Sequence, residues 1–397
     1  MNISEVGARI RRLRLASGLG QVEFAELVGV ANGAVSMIEN GRMPLSDDML
    51  TRLAKVLRCS PSFLVRAAPA PLATQPLMRA YADAPKRAVD RQLADASLVL
   101  ETATALGLRT IPDALPTFHG DLSDEHAIEQ FAQDVRAAAQ LHEGEVVGNA
   151  IRAAERLGCV VLPMPDELGR HLGLSLRIDA TPVLCVSRAA TADCGTEGVP
   201  GDRQRFTVIH EVGHLGLHSP LGPPQTADEA ARFEKQAHLF AGAFLAPGDA
   251  MLEELDALGG RVTLQALSSI KSRWGIAIKA LVMRFRQLGV IDADQARSLY
   301  KQVSARGWNK GEPVPVGPES AIWLSRAIDK RFAASPDSVA AAAEQAGLNT
   351  THVQRWTDWT RPAARSAEVV ELGAHRRAAG SATTGNATIT SLPKRRR

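Results

Sequence analysis

Cysteine is scarce in this 397-residue chain: Cys59, Cys159, Cys185 and Cys194 stand far apart, with no CxxC pair. That spacing excludes a disulfide framework and a thiolate zinc knuckle, and it fits a reducing compartment. An excess of one charge is lacking too. The 46 Lys+Arg against 43 Asp+Glu leave a net +3, so whole-chain charge names no partner and any basic face must be local. No stretch approaches the roughly 18 apolar residues of a spanning helix, and the opening MNISEVGARIRRLRLASG has no apolar signal core, so neither export nor a membrane partner is expected. Aromatics make up only 4%, yet apolar residues reach 45%, enough to exclude a wholly disordered chain. At roughly 100–200 residues per domain, the length suits two to four folded units.

Residues 1–66 read as five short helices separated by Gly18, Gly20, Gly29, Gly41 and Pro44. Ile10, Leu13, Phe24, Leu27, Val35, Ile38, Leu50, Leu53 and Leu57 recur at helical spacing and are the expected core stripes. The Ala/Pro-rich AAPAPLATQP that follows reads as a linker, and residues 67–149 as linker plus helical connector. Then CVVLP, LSLRID and PVLCVSR, rich in β-branched and aliphatic residues, read as three strands. Helical periodicity returns over 204–218 and 228–246 and continues to about residue 305. The expected fold is multidomain and mostly α with a small β-sheet. Its boundaries are 1–66, 67–149, 150–310, a helical module at 311–373 and a disordered basic tail at 374–397.

QRFTVIHEVGHLGLH contains HExxH, formed by His210, Glu211 and His214. Residues four apart share a helix face, so two imidazoles reach one zinc while the adjacent glutamate addresses a water. Two surface histidines on an amphipathic helix would be the bland alternative, but the flanking Val208, Ile209, Leu215 and Leu217 argue for burial. Gly213 and Gly216 inside the helix suggest the close approach of another backbone. A third ligand is needed. His218 lies about 12 Å along the helix axis from His210, too far to share an ion. The next candidate helix, TADEAARFEKQAHLFAGAFLAP, offers Asp228, Glu229 and Glu234; Glu234 shares a face with Ala237, His238 and Ala241, opposite Phe233, Phe240 and Phe244. Glu234 is the favoured ligand, with Glu229 as runner-up, and manganese is an alternative ion. Such a centre supports metal-assisted amide hydrolysis with Glu211 as the base. The strand PVLCVSR offers either an edge for an extended peptide or an ordinary core strand. No oxyanion-stabilising residue is assigned, and His238 reads as structural.

These segments, RQRFTVIHEVGHLGLH, EKQAHLFAGAFLAP and LSSIKSRWGIAIKALVMRFRQLGVI, resemble the ImmA/IrrE metallopeptidases, of gluzincin type, whose motifs run RFTxxHExGHxxLH and ExxANxFAxxLLxP. The resemblance spans about 150–310 and implies His210, His214 and Glu234 as zinc ligands and Glu211 as general base. It departs from the family in having His238 where Asn is usual. Family members cleave Xre-type repressors in response to DNA damage, so the resemblance implies a protein substrate or partner repressor and a role in stress response.

QVEFAELVG and ANGAVSMIENG, joined at Gly29 and Val30, have helix-turn-helix polarity, and the whole N-terminal segment resembles an Xre/Cro-type helix-turn-helix. By position, the resemblance places Gln21, Asn32, Gly33, Ala34, Ser36 and Asn40 toward double-stranded DNA. Asn32 reads either as a base contact or as the helix cap. Arg9, Arg11, Arg12 and Arg14, with Arg42, Arg52, Lys55 and Arg58, are candidate phosphate contacts. Nine basic against six acidic residues over 1–66 permit DNA binding without demanding it. Residues 338–360 look like either a second helix-turn-helix or a helical packing module, with Trp356 and Trp359 as core or interface residues.

The expectation is therefore a cytoplasmic, nucleoid-associated transcription regulator, a homodimer by the two-fold habit of such readers, fused to a zinc endopeptidase. Its substrate would be a partner repressor, a toxin-like partner or its own linker at 67–76. The alternatives are a non-cleaving regulator that senses a ligand or partner, and the antitoxin of a toxin pair.

Overall fold

The apolar spacing of the first 66 residues folds into five helices: α1 (Ile3–Ala16), α2 (Gln21–Val28), α3 (Asn32–Glu39), α4 (Asp47–Leu57) and α5 (Pro61–Val65). Gly29, at φ +75°, caps α2 in the left-handed region that glycine enters most readily, and so turns the chain into α3. The expected stripes are buried, with one exception: Leu27 is 57% exposed, and its neighbour Val28 faces the core instead. The computed structural model describes residues 2–67, 73–74, 85–109, 111–164, 171–189 and 199–359. Most of the Ala/Pro linker, Cys194, residues 360–373 and the basic tail lie outside the described residues.

Next come α6 (Lys86–Ala105), α7 (Glu125–Ala138) and α8 (Ala150–Arg156), then β1 (Val160–Met164), β2 (Gly173–Ile178) and β3 (Thr181–Ser187). Strand order is β1-β3-β2, with β1 parallel and β2 antiparallel to β3. β3 is thus the central strand, which settles PVLCVSR as a core strand; the sheet edge belongs to β2. The site helices α9 (Gly201–His218) and α10 (Ala227–Leu245) follow, then α11 (Gly248–Ala257), α12 (Leu264–Trp274), α13 (Ile278–Gln287) and α14 (Ala293–Ala305). The chain closes with α15 (Trp323–Arg331), α16 (Ser338–Ala346) and α17 (Thr350–Thr357).

Two apolar cores lie on opposite faces of the sheet. Leu162, Leu174, Leu176 and Cys185 face a core shared with α1–α6 and α15–α17. Val161, Leu184 and Val186 face the core built by α7–α14. The helix-turn-helix therefore shares its core with the sheet, through α6. Glu101 of α6 takes both Arg9, at 2.7 Å, and Arg12, while Asp95 of the same helix accepts from Arg355 and from Trp356 Nε1. α17 turns His352, Val353 and Trp356 inward, and Ser60 and Asn349 exchange main-chain bonds across the α5–α17 contact with Gly347 and Arg58. The α16–α17 pair accordingly packs as a helical module. Residues 1–361 form one compact unit.

Candidate metal centre

α9 carries its motif on a helix buried along nearly its whole length. His210 Nε2 and His214 Nε2 stand 3.1 Å apart, and Glu234 of α10 brings its two carboxylate oxygens to 3.4 Å from the first and 3.6 Å from the second. Corners of a tetrahedron around zinc, at about 2.1 Å per ligand, stand about 3.4 Å apart. The three side chains thus have the spacing of one face of a tetrahedral site, and they form a metal-competent group among the described residues.

The proton positions support that fit. Gln236 Nε2 donates to Leu122 O at 2.9 Å, so its Oε1 must accept from His218 Nε2–H, at 3.0 Å. Burial pushes His218 down to about 3, so it is neutral and its Nδ1 accepts from His214 Nδ1–H at 3.1 Å. His214 Nε2 is left with its lone pair aimed at Glu234. Two acceptors facing each other call for a cation between them. His210 Nδ1, buried, finds no partner among the described residues.

Glu211 is 4% exposed, and Ser175 Oγ of β2 donates to its Oε2 at 2.6 Å. Burial raises its proton affinity, and the neighbouring His214 and the Ser175 bond only partly offset this. Gly173 is required where β2 crosses the site: a Cβ there would stand 2.9 Å from Glu211 Cγ. Gly213 and Gly216 answer to close approach as expected, although by aromatic rings: their Cβ positions would meet Phe240 Cδ1 at 2.8 Å and Phe131 at 3.0 Å. The phenylalanines of α10 are therefore not turned away from α9, and Phe233 stacks on His218 at 4.1 Å.

Glu229 lies elsewhere, half-buried in the first turn of α10 and accepting from Gln225 N at 2.7 Å. His238 stands beside the ligands. It is exposed, its ring lies 4.5 Å from that of His210, and its Nδ1 donates to Glu234 O at 2.7 Å. Sequence reasoning missed Ser175, His218 in its supporting role, and Gln236. The signal available for Ser175 was the small pair Gly173 and Ser175 on one face of an aliphatic strand.

On the helix-turn-helix, Gln21, Asn32, Gly33, Ser36, Asn40 and Arg42 are exposed and Ala34 is half-buried. Ala31 takes the N-cap position of α3, which leaves the Asn32 side chain outside the capping role. Three proposed phosphate contacts are corrected: Arg9 and Arg14 are buried, and Arg12 is committed to Glu101. Arg14 pairs with Glu39 at 2.5 Å, and Glu39 also binds Gln21 Nε2 at 3.0 Å. A basic residue on a short helix of a compact bundle is as available to an internal carboxylate as to a phosphate.

Fold and site define a helix-turn-helix protein with a metallopeptidase-like domain. Residues 10–64 match the helix-turn-helix family model and residues 154–286 the IrrE N-terminal-like domain, so the chain fuses an Xre-type helix-turn-helix to an ImmA/IrrE-like domain. The N-terminal part is similar to Repressor protein C2 of Salmonella phage P22, 35% identical over 66 residues, or 17% of this chain and 31% of that protein. The chain thus spans about a third of the curated relative it matches. No solved structure matches it. Among the described residues no helix is long and apolar enough to cross a membrane.

Proposed function

We propose that this chain is a DNA-binding transcription regulator whose IrrE-like domain hydrolyses a peptide bond in a repressor-like protein, with His210, His214 and Glu234 holding zinc or manganese. The observation that carries the reading is the convergence of those three ligand atoms at 3.1–3.6 Å beside a buried Glu211 held by Ser175. A bound zinc supplies Lewis acidity to the scissile carbonyl and to water. Glu211 takes the water proton and passes it to the leaving amine, a task suited to a carboxylate whose proton affinity burial has raised. Ser175 fixes which oxygen of Glu211 remains to do so. The edge of β2, beside Glu211, aligns an extended peptide by main-chain hydrogen bonds. Gln21, Asn32, Gly33, Ala34, Ser36, Asn40 and Arg42 face the operator, which a homodimer reads across a two-fold site.

The test is mass spectrometry of the purified protein with stoichiometric zinc or manganese, beside its Glu211→Gln variant, with and without cell extract. Fragments that require Glu211 are expected, and their termini name the substrate. One metal bound per chain with no Glu211-dependent fragment defeats the reading. It would leave the non-cleaving sensor, which the core shared between helix-turn-helix and sheet favours as the second reading.

A further inference from the structure

Outside the metal ligands, one short piece of chain lies on a surface that the peptidase reading needs. Ala73 forms an antiparallel bridge with Ile178, Thr74 N–H donates to Arg177 O at 2.8 Å, and Arg177 N–H donates to Thr74 Oγ1 at 2.9 Å. In an antiparallel pair, alternate residues turn their main-chain groups to the partner strand and the rest turn theirs outward. Since Arg177 points outward to Thr74, Ser175 and Gly173 point outward on the same edge. Their side-chain positions face Glu211: Ser175 Oγ bonds it, and Gly173 is kept free of a side chain by it. The outer edge of β2 therefore runs directly to the general base. Chain direction matters as well, because the step from Ala73 to Thr74 runs from Ile178 to Arg177, toward Ser175. Ser175 is wholly buried and His214 1% exposed, whereas Glu234 keeps 30% of its side chain exposed.

We infer that the interdomain segment at Ala73–Thr74 straps the peptide-binding edge of β2 in cis, so that an incoming extended peptide must displace it to reach Glu211. The inference rests on the peptidase reading for its consequence, but the competition it describes is a matter of binding alone. The strap is built to yield. Two hydrogen bonds at an exposed residue, Thr74, hold it among the described residues. The strap's advantage over a free peptide is its tether, which keeps it at high effective concentration.

The probe is a fluorescein-labelled peptide of residues 70–80. It is titrated by fluorescence anisotropy into the full-length, zinc-loaded protein in a Glu211→Gln background, where no turnover intrudes. Thr74→Pro in the protein removes the donated N–H and the accepting hydroxyl, and it is expected to tighten peptide binding about tenfold, the worth of one or two exposed hydrogen bonds. Because Thr74 is exposed, an unchanged melting temperature checks that Thr74→Pro has not disturbed the fold. Affinities of parent and Thr74→Pro within about twofold of each other would overturn the inference, as would no binding by either at about millimolar peptide. Tighter binding by Thr74→Pro together with an absence of Glu211-dependent fragments would uphold the strap and defeat the peptidase reading.

Discussion

Gln236 decides which nitrogen His214 offers. Its amide nitrogen is spent on Leu122 O, its oxygen therefore fixes the proton of His218 on Nε2, and His218 in turn draws the proton of His214 to Nδ1. No residue of this relay except His214 touches the ligand position, yet together they set the direction of a lone pair. Gln236→Leu removes the anchor while keeping most of the volume, and it is expected to lower zinc affinity about 10- to 100-fold, the usual cost of losing a partner behind a metal-bound imidazole. Competition against a chromogenic chelator reads this directly. Glu211→Gln, which changes no ligand, should leave the affinity where it was. Equal affinities for Gln236→Leu and the wild type would mean that Phe233, stacked on His218, orients the ring without the hydrogen bond.

At the scale of elements, the periodic parts of the molecule were legible and the paired parts were not. The HExxH spacing places two imidazoles on one face of α9 by helix geometry alone, and the small residues around Glu234 announce a helix that packs closely. Strand order has no such local signal, because it depends on which strand the tertiary core surrounds; β3 ended in the centre and β2 at the edge. Ser175 was hidden for the same reason, since its partner Glu211 lies 36 residues along the chain. Leu27 misled because periodicity assigns a face without saying whether anything covers it. The dock of α17 is a further long-range feature, and it is sensitive to acid. His352 Nε2 contacts Leu57 O at 3.1 Å, and burial, followed by Arg355, lowers its proton affinity below the ordinary imidazole value of 6.5. A depressed folded-state pKa means that the unfolded chain binds the proton more readily. The stabilising contribution is thus complete above 6.5 and is lost as pH falls from there toward the folded-state value, at about 1.4 kcal/mol per unit of depression. Melting temperatures at pH 7.5 and 5.5 should fall more for the wild type than for His352→Gln, the comparison isolating this residue from the site histidines. Equal falls would show that His352 accepts its proton without leaving the dock.

At the scale of the whole molecule, the link between DNA reader and peptidase-like domain is a shared core, with the Ala/Pro linker as a covalent accessory to it. Arg9 is 1% exposed and spends its guanidinium on Glu101 of α6 and on the carbonyls of Leu64, at 3.0 Å, and Arg66, at 2.7 Å. Arg66 reaches Ala346 O at 2.7 Å, and Arg355 and Trp356 clamp α17 to Asp95 of α6. A cut in the linker severs none of these. Proteolysis between residues 67 and 85 is therefore expected to leave the fragments together: they co-elute as one species on size exclusion at physiological salt, and DNA binding by the nicked protein matches that of the intact chain. Glu101→Ala supplies the converse. It leaves Arg9 buried without its carboxylate, and breaking one side of a buried ion pair costs about 3–5 kcal/mol, enough for the nicked variant to separate into two peaks. Should the nicked wild type fall apart at once, the linker itself would be the bond that matters, and cleavage there would release the DNA reader. If it stays whole, a cut in the linker can loosen the strap on β2 without freeing the helix-turn-helix, and a signal to DNA has α6 and the α16–α17 pair as its routes.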